Sequence, residues 1–255
     1  MSPVTQFLDA MRFLTRVPLP STHQTSPNLS NAFLMFPLVG ALIGSFTGSL
    51  LWAASSIGLP PFLSAIIAIS GTIFLTGGLH EDGLGDVADG FGGGADTQRK
   101  LEIMRDSRMG TYGVLCLTLS IAARLGAFAA LVQSFSPQSI LYILIASAAL
   151  SRGLMVGIVT ILPPARKDGI AATLTPQPSI SLITYALTLA ITLGALLPIF
   201  SATSVAVIVA TPVLATMLLA YISMRQIGGQ TGDVAGATQQ IAEITCLFAV
   251  ITLAT

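Results

Sequence analysis

Charge is what this sequence has least of. Asp, Glu, Lys and Arg make up 9% of its 255 residues, against roughly 25% in a soluble domain. That deficit excludes an ordinary water-soluble surface, and an apolar content of 53% places the chain in a bilayer. Cysteine is almost absent too. Cys116 and Cys246 both lie in apolar runs, so they read as small core residues rather than a disulfide pair or metal ligands. The formal net charge is zero and there is no basic aromatic patch, which argues against nucleic acid as a partner. The N-terminus does not read as a cleavable signal peptide, because Pro3, Asp9, Arg12 and Arg16 precede any long apolar run. No internal repeat stands out.

The acids that do occur are concentrated. Seven of the eleven Asp and Glu lie between Glu81 and Asp106, and the chain is organised around the stretch from His80 to Gly94. Asp82, Asp86 and Asp89 are spaced i, i+4, i+7, which on a helix puts all three carboxylates on one face. Neighbouring anions repel unless a cation sits between them, and hard oxygen donors suit Mg²⁺ or Mn²⁺ better than Zn²⁺. The glycines that follow allow a backbone to approach a bulky anionic ligand. A divalent-metal site that handles phosphate is the first expectation; a solvated acidic loop between helices is the plainer alternative.

Hydropathy divides the rest. Residues 1–31 begin with a short amphipathic stretch (Phe7, Leu8, Met11, Phe13, Leu14) fit to lie at the interface, closed by Pro18-Leu19-Pro20 and a polar segment. Apolar runs at 32–54, 61–79, 113–133, 139–162, 180–200 and 203–224 are each long enough to approach a crossing of roughly 30 Å; the last run, 241–255, is short for one. The expected fold is all-α: a single membrane domain, a polytopic bundle of six or seven helices. With the N-terminus in the cytoplasm, the loops 80–112, 163–179 and 225–240 are cytoplasmic, and every Lys and Arg outside the spans lies inside.

Two further constellations fall in those loops. Arg105-Asp106-Ser107-Arg108-Met109-Gly110-Thr111-Tyr112-Gly113 sets two arginines, hydroxyls and glycines before a span. Arginine forks bind phosphate bidentately, although a snorkelling basic collar at the membrane boundary would look the same. The second, Arg225 to Ala237, is glycine-rich and carries Asp233, suited to cradling phosphate or to a further metal ligand. Within the spans lie Arg124 and Arg152. A mid-membrane arginine costs about 2.5–3.5 kcal/mol, so each is expected to face an ion-pair partner or a bound anion, or to lie nearer the interface.

Together these stretches resemble the cobalamin synthase family, membrane enzymes also called adenosylcobinamide-GDP ribazoletransferases. The matching segments are Phe13-Leu14-Thr15-Arg16-Val17-Pro18, Gly78-Leu79-His80-Glu81-Asp82-Gly83-Leu84-Gly85-Asp86-Val87-Ala88-Asp89-Gly90, Arg105 to Gly113, and Gly229-Gln230-Thr231-Gly232-Asp233-Val234-Ala235-Gly236-Ala237, in the expected order over nearly the whole chain. At position 81 this sequence has the glutamate form of the motif. The resemblance implies a multi-pass protein of the bacterial cytoplasmic membrane, dependent on Mg²⁺. It would join adenosylcobinamide-GDP to α-ribazole, or its 5′-phosphate, and release GMP. It implies metal ligation by Asp82, Asp86 and Asp89, with Glu81 and Asp233 as further ligands. His80, Asp82 and Asp86 would be catalytic; Arg105, Arg108, Arg124, Arg152, Gly110 and Thr111 would bind substrate phosphate. The acid cluster is also similar to the aspartate motif of CDP-alcohol phosphotransferases, with different spacing. Competing readings are a transporter with an acidic ion-binding site, since intramembrane arginines and helix breaks also mark transport paths, and a non-catalytic scaffold. Oligomeric state stays open.

Overall fold

Two adjacent glycines give the fold its working shape. The computed structural model describes residues 2–19, 29–166 and 178–254, so Lys167, Asp168 and most of the polar stretch before Leu29 lie outside the described residues. After α1 (Pro3–Leu14), α2 (Leu29–Ala32) and a 3-10 turn at Phe33–Met35, the chain crosses in α3 (Phe36–Ser56) and returns in α4 (Pro61–Thr76). It then turns by 89° at Gly77 and Gly78, whose φ values are 70° and 69°. This left-handed region costs an ordinary residue roughly 1–2 kcal/mol and glycine almost nothing. The turn starts α5 (Leu79–Gly93), which lies at the end of the bundle with its first turn sunk between later helices. There follow α6 (Thr97–Ile103), α7 (Thr111–Ser134), α8 (Pro137–Ile161), α9 (Pro178–Leu196), α10 (Ala202–Ile227) and α11 (Gly232–Thr252).

Among the described residues six helices are long and apolar enough to cross a bilayer, and the bent pair α4–α5 raises the number to seven if it counts as one span. This is the all-α, multi-pass bundle that hydropathy predicts. Large apolar side chains such as Trp52, Phe74, Leu119, Leu189 and Leu214 are exposed on the helices, as lipid-facing surfaces require. Inside, Gly40 and Gly44 let α3 lie directly on α8, because an added Cβ at either would run into the carbonyl oxygens of Ala148 and Leu144. Two apolar clusters fill the core. One gathers Leu14, Phe33, Leu84, Met155 and Val234; the other gathers Leu51, Phe128, Leu144 and Leu247.

Charged connections meet at one end of the bundle. The Arg16 N–H donates to the Leu75 carbonyl (2.7 Å), and Ala165 and Gln230 are joined through their backbones (2.8 Å). The Thr97 hydroxyl donates to the Gln226 carbonyl. At the other end, the rings of Phe135 and Phe200 touch edge-on at 5.8 Å. Alternating crossings would give this arrangement.

Three sequence boundaries are corrected. The expected loop 80–112 holds two helices, α5 and α6. The run 241–255 is not a short stub, because α11 starts inside the expected loop 225–240 and runs for 21 residues, about 31 Å at 1.5 Å per residue. Thr231 caps it, its Oγ1 accepting the Val234 N–H at 3.3 Å. The polar residues that lowered its hydropathy, Gln239, Gln240 and Glu243, are buried against other helices. Third, α1 stops at Leu14, ahead of Pro18, and buries Ala10 and Leu14 completely, so it packs on the bundle as well as bordering it. Both cysteines are free, and Cys246 is buried.

Candidate functional site

α5 supplies the acids, and α11 is pressed against it. A Cβ on Gly83 would come within 2.8 Å of the Asp233 carbonyl oxygen, and Gly236 packs back against His80. These glycines let the first turn of α11 seat on α5 and bring Asp233 beside the acid face. Asp233 also sits in the first helical turn, where the helix dipole favours a negative charge. Replacing Gly83 by valine is expected to push α11 off α5. A displacement of about 1 Å at a catalytic centre can cost 10²-fold in rate, so turnover should fall by that order with a lowered melting temperature, measurable on purified protein in detergent.

The carboxylates are not equivalent. Asp82 is exposed, Asp86 half-buried and Asp89 buried. Burial, then Asp82, Asp233 and Asp89, push the Asp86 carboxyl up to about 7; Arg166 opposes the rise. Asp89 spends both oxygens on the start of α7, accepting the N–H of Gly110 at 2.7 Å and of Gly113 at 2.8 Å. Any side chain at Gly110 or Gly113 would collide with that carboxylate. The N–H groups of Gly110, expected from sequence to bind phosphate, and of Gly113 are therefore taken by Asp89.

Other expected site residues are engaged elsewhere. Glu81 points away from the acid face: its Oε1 accepts from Arg124 Nη1 at 2.8 Å and from Gln240 Nε2 at 3.2 Å. Arg152 Nη1 donates to Glu243 Oε2 at 2.8 Å and to Ser151 Oγ at 3.1 Å. Gln239 donates to Glu243, and Gln240 donates to Gln239 Oε1. One buried polar seam thus joins both arginines. Arg124 and Arg152, expected to bind phosphate, are held in ion pairs, and one oxygen of Glu81, an expected metal ligand, is taken by Arg124. The physical reason is the cost of an uncompensated charge inside the membrane.

Arg108 is exposed and forked onto Asp106, with a shortest contact of 2.6 Å; the fork holds the Asp106 carboxyl down at about 2. Arg108, Thr111 and Asp89 border a groove of about 310 Å³, whereas Arg105 lines a neighbouring one. His80 is 1% exposed, its Nε2 without a hydrogen-bond partner, with Arg152 and Arg124 nearby.

Arg166 was not anticipated. Its guanidinium is 3.8 Å from Asp233 Oδ2 and donates to the Leu101 carbonyl at 2.9 Å. The parallel bridge between Pro164 and Gln230 brings it there, and Gly229 makes that bridge possible because a Cβ would strike the Pro163 carbonyl.

The donor set fits Mg²⁺. Asp82, Asp86 and Asp233 offer only oxygen, and their mutual repulsion is offset in part by Arg166. Among the described residues no three His, Cys, Asp or Glu side chains form a ready cage for an ion. Mg²⁺ needs none, since it keeps several waters and binds through one or two carboxylates and the substrate's phosphates.

Fold and site define a polytopic membrane protein with an acidic centre at one end. A family model described as cobalamin-5-phosphate synthase matches residues 6–251, and the chain belongs to that family. Similar curated proteins are named adenosylcobinamide-GDP ribazoletransferase. The one from Azorhizobium caulinodans is 42% identical, covering 95% of this chain and 93% of its own length. That from Allorhizobium ampelinum is 40% identical (97% and 98%), and that from Bradyrhizobium diazoefficiens 42% (94% and 90%). No solved structure matches the chain significantly.

Proposed function

We propose that the chain completes the cobalamin nucleotide loop in the cytoplasmic membrane of a bacterium, with its acidic end in the cytoplasm. It transfers the phosphocobinamide part of adenosylcobinamide-GDP to α-ribazole, or its 5′-phosphate, and releases GMP. The observation that carries this reading is the meeting of Asp82, Asp86 and Asp233 where α5 seats on α11, in a chain of this family.

One or two of Asp82, Asp86 and Asp233 would hold Mg²⁺, which would supply charge neutralisation for the diphosphate. The ribose hydroxyl oxygen attacks the phosphorus joined to cobinamide, the bond to the GMP oxygen breaks, and GMP leaves with that electron pair. The hydroxyl proton passes to a carboxylate. Asp82 is the exposed acid at this position, whereas His80 is buried beside two guanidiniums and is poorly placed to accept a proton. Arg166 and Arg108 neutralise phosphate charge, the latter by exchanging Asp106 for substrate. Alignment and electrostatics carry a step of this kind. The transporter reading is set aside on the family match; the ion pairs of Arg124 and Arg152 fit either reading.

The test is GMP release by purified protein given adenosylcobinamide-GDP, α-ribazole and Mg²⁺, with metal omitted as the control. Release that needs all three supports the reading; uptake into vesicles without GMP would replace it.

A pH dependence follows from Asp86. With its carboxyl at about 7 instead of the usual 3.8, the folded protein holds a proton below neutrality that must leave before a cation binds. Apparent Mg²⁺ affinity is expected to fall about tenfold per pH unit below 7 and to level off above it. Mg²⁺ titrations at several pH values check this, and Asp86→Asn should flatten the profile.

A further inference from the structure

A cavity of about 180 Å³ opens beside the acids. Its wall is Phe13 from α1, Phe33 from the 3-10 turn, Phe36 from α3, and Met155 and Val159 from α8; Asp82 and Asp233 also border it. The aromatic wall is pre-arranged. Phe13 and Phe36 stack at 5.7 Å and 18°, and Phe33 meets Phe36 edge-on at 5.0 Å and 73°. Phe33 and Phe36 are buried, and the exposed Asp82 marks the mouth.

Size and polarity narrow the occupant. An apolar cavity of about 150 Å³ accepts one benzene ring, so this one accepts a one- or two-ring aromatic group. Three bulky groups take part in the proposed reaction. The corrin macrocycle is far too large. Guanine is small enough, and its N–H edge suits Asp82 or Asp233, but those carboxylates are assigned to the metal, and guanine's remaining acceptors would face the phenylalanines at about 1–3 kcal/mol for each unsatisfied group. The benzimidazole ring of α-ribazole is two-ringed, largely apolar and suited to aromatic contacts.

We infer that this cavity seats the benzimidazole of α-ribazole, so that its ribose emerges between Asp82 and Asp233 with the attacking hydroxyl against the carboxylates. The inference rests on the ribazoletransferase reading and adds which wall selects the incoming base. Phe33, Met155 and Val159 thereby determine lower-base specificity.

The test uses the full-length protein in detergent. Val159→Trp fills the cavity and Phe33→Ala removes part of its wall. Each is expected to raise the KM for α-ribazole at least tenfold while changing that for adenosylcobinamide-GDP less than twofold. Phe33→Tyr should restore most of the affinity. Calorimetric titration of α-ribazole into each variant, without the corrinoid, reads the same loss independently of turnover. Equal effects on both KM values, or an effect on adenosylcobinamide-GDP alone, would overturn the assignment. So would native mass spectrometry showing a lipid held in the cavity that α-ribazole does not displace. Wild-type protein that turns over normally while the variants lose no α-ribazole affinity sinks the cavity alone; wild-type protein that releases no GMP sinks the functional reading beneath it.

Discussion

Replacing Asp82 by alanine is expected to lower GMP release at least ~10³-fold at saturating Mg²⁺, about 4 kcal/mol of transition-state stabilisation. The protein should remain folded, because Asp82 is exposed and its removal relieves repulsion from Asp86 and Asp233. Asp86 and Asp233 would remain, but without the acid at the mouth the metal shell loses a ligand and the attacking hydroxyl loses its proton acceptor. Those two losses separate by substitution: Asp82→Asn keeps a neutral oxygen donor and cannot take the proton, so it should be equally inactive with a smaller loss of Mg²⁺ affinity. Near-normal turnover in Asp82→Ala, with an unchanged melting temperature, would refute the role.

The largest expected effect on stability lies elsewhere, in the polar seam. Arg152→Leu leaves Glu243 buried without its cation. Breaking one side of a buried pair typically costs 3–5 kcal/mol, a large part of the stability of most proteins. Replacing both partners, Arg152→Leu with Glu243→Leu, should recover most of the loss, since apolar pairs of similar volume often match a buried ion pair. Unfolding in detergent, followed by helical content as denaturant is added, measures both. If the double variant were as unstable as the single one, Arg152 would hold the fold through more than its pair with Glu243, for instance through Ser151.

Much of the fold was legible in the sequence because bilayers demand long apolar runs, and those runs became α3, α7, α8, α9 and α10 with small shifts at their ends. The 89° turn was not. Gly77 and Gly78 fall inside an apolar run, and hydropathy does not register a left-handed backbone. The start of α11 was hidden for the opposite reason. Its inward residues Gln239, Gln240 and Glu243 are polar, so a helix packed on protein looked like a loop beside water. At the site, the i, i+4, i+7 spacing put Asp82, Asp86 and Asp89 near one another on α5, but Asp89 is spent on the start of α7, and spacing treats Glu81 and Asp82 alike. The structure separates them by helical phase: Glu81 turns to Arg124, Asp82 to the cavity. Arg166 was out of reach, since its approach to Asp233 depends on the backbone bridge of Pro164 with Gln230. Phe33 and Phe36 read as the start of a span, and only the packing of α1 and α8 around them makes a cavity.

The seam also sets a timetable for biogenesis. Arg124 follows Glu81 by 43 residues, so its counter-ion has already left the ribosome when α7 is made. Arg152 precedes Glu243 by 91 residues, about 5–18 s of translation at common bacterial rates. Throughout that interval α8 carries an unanswered cation in a nascent chain, and α11, the last long helix made, closes the account.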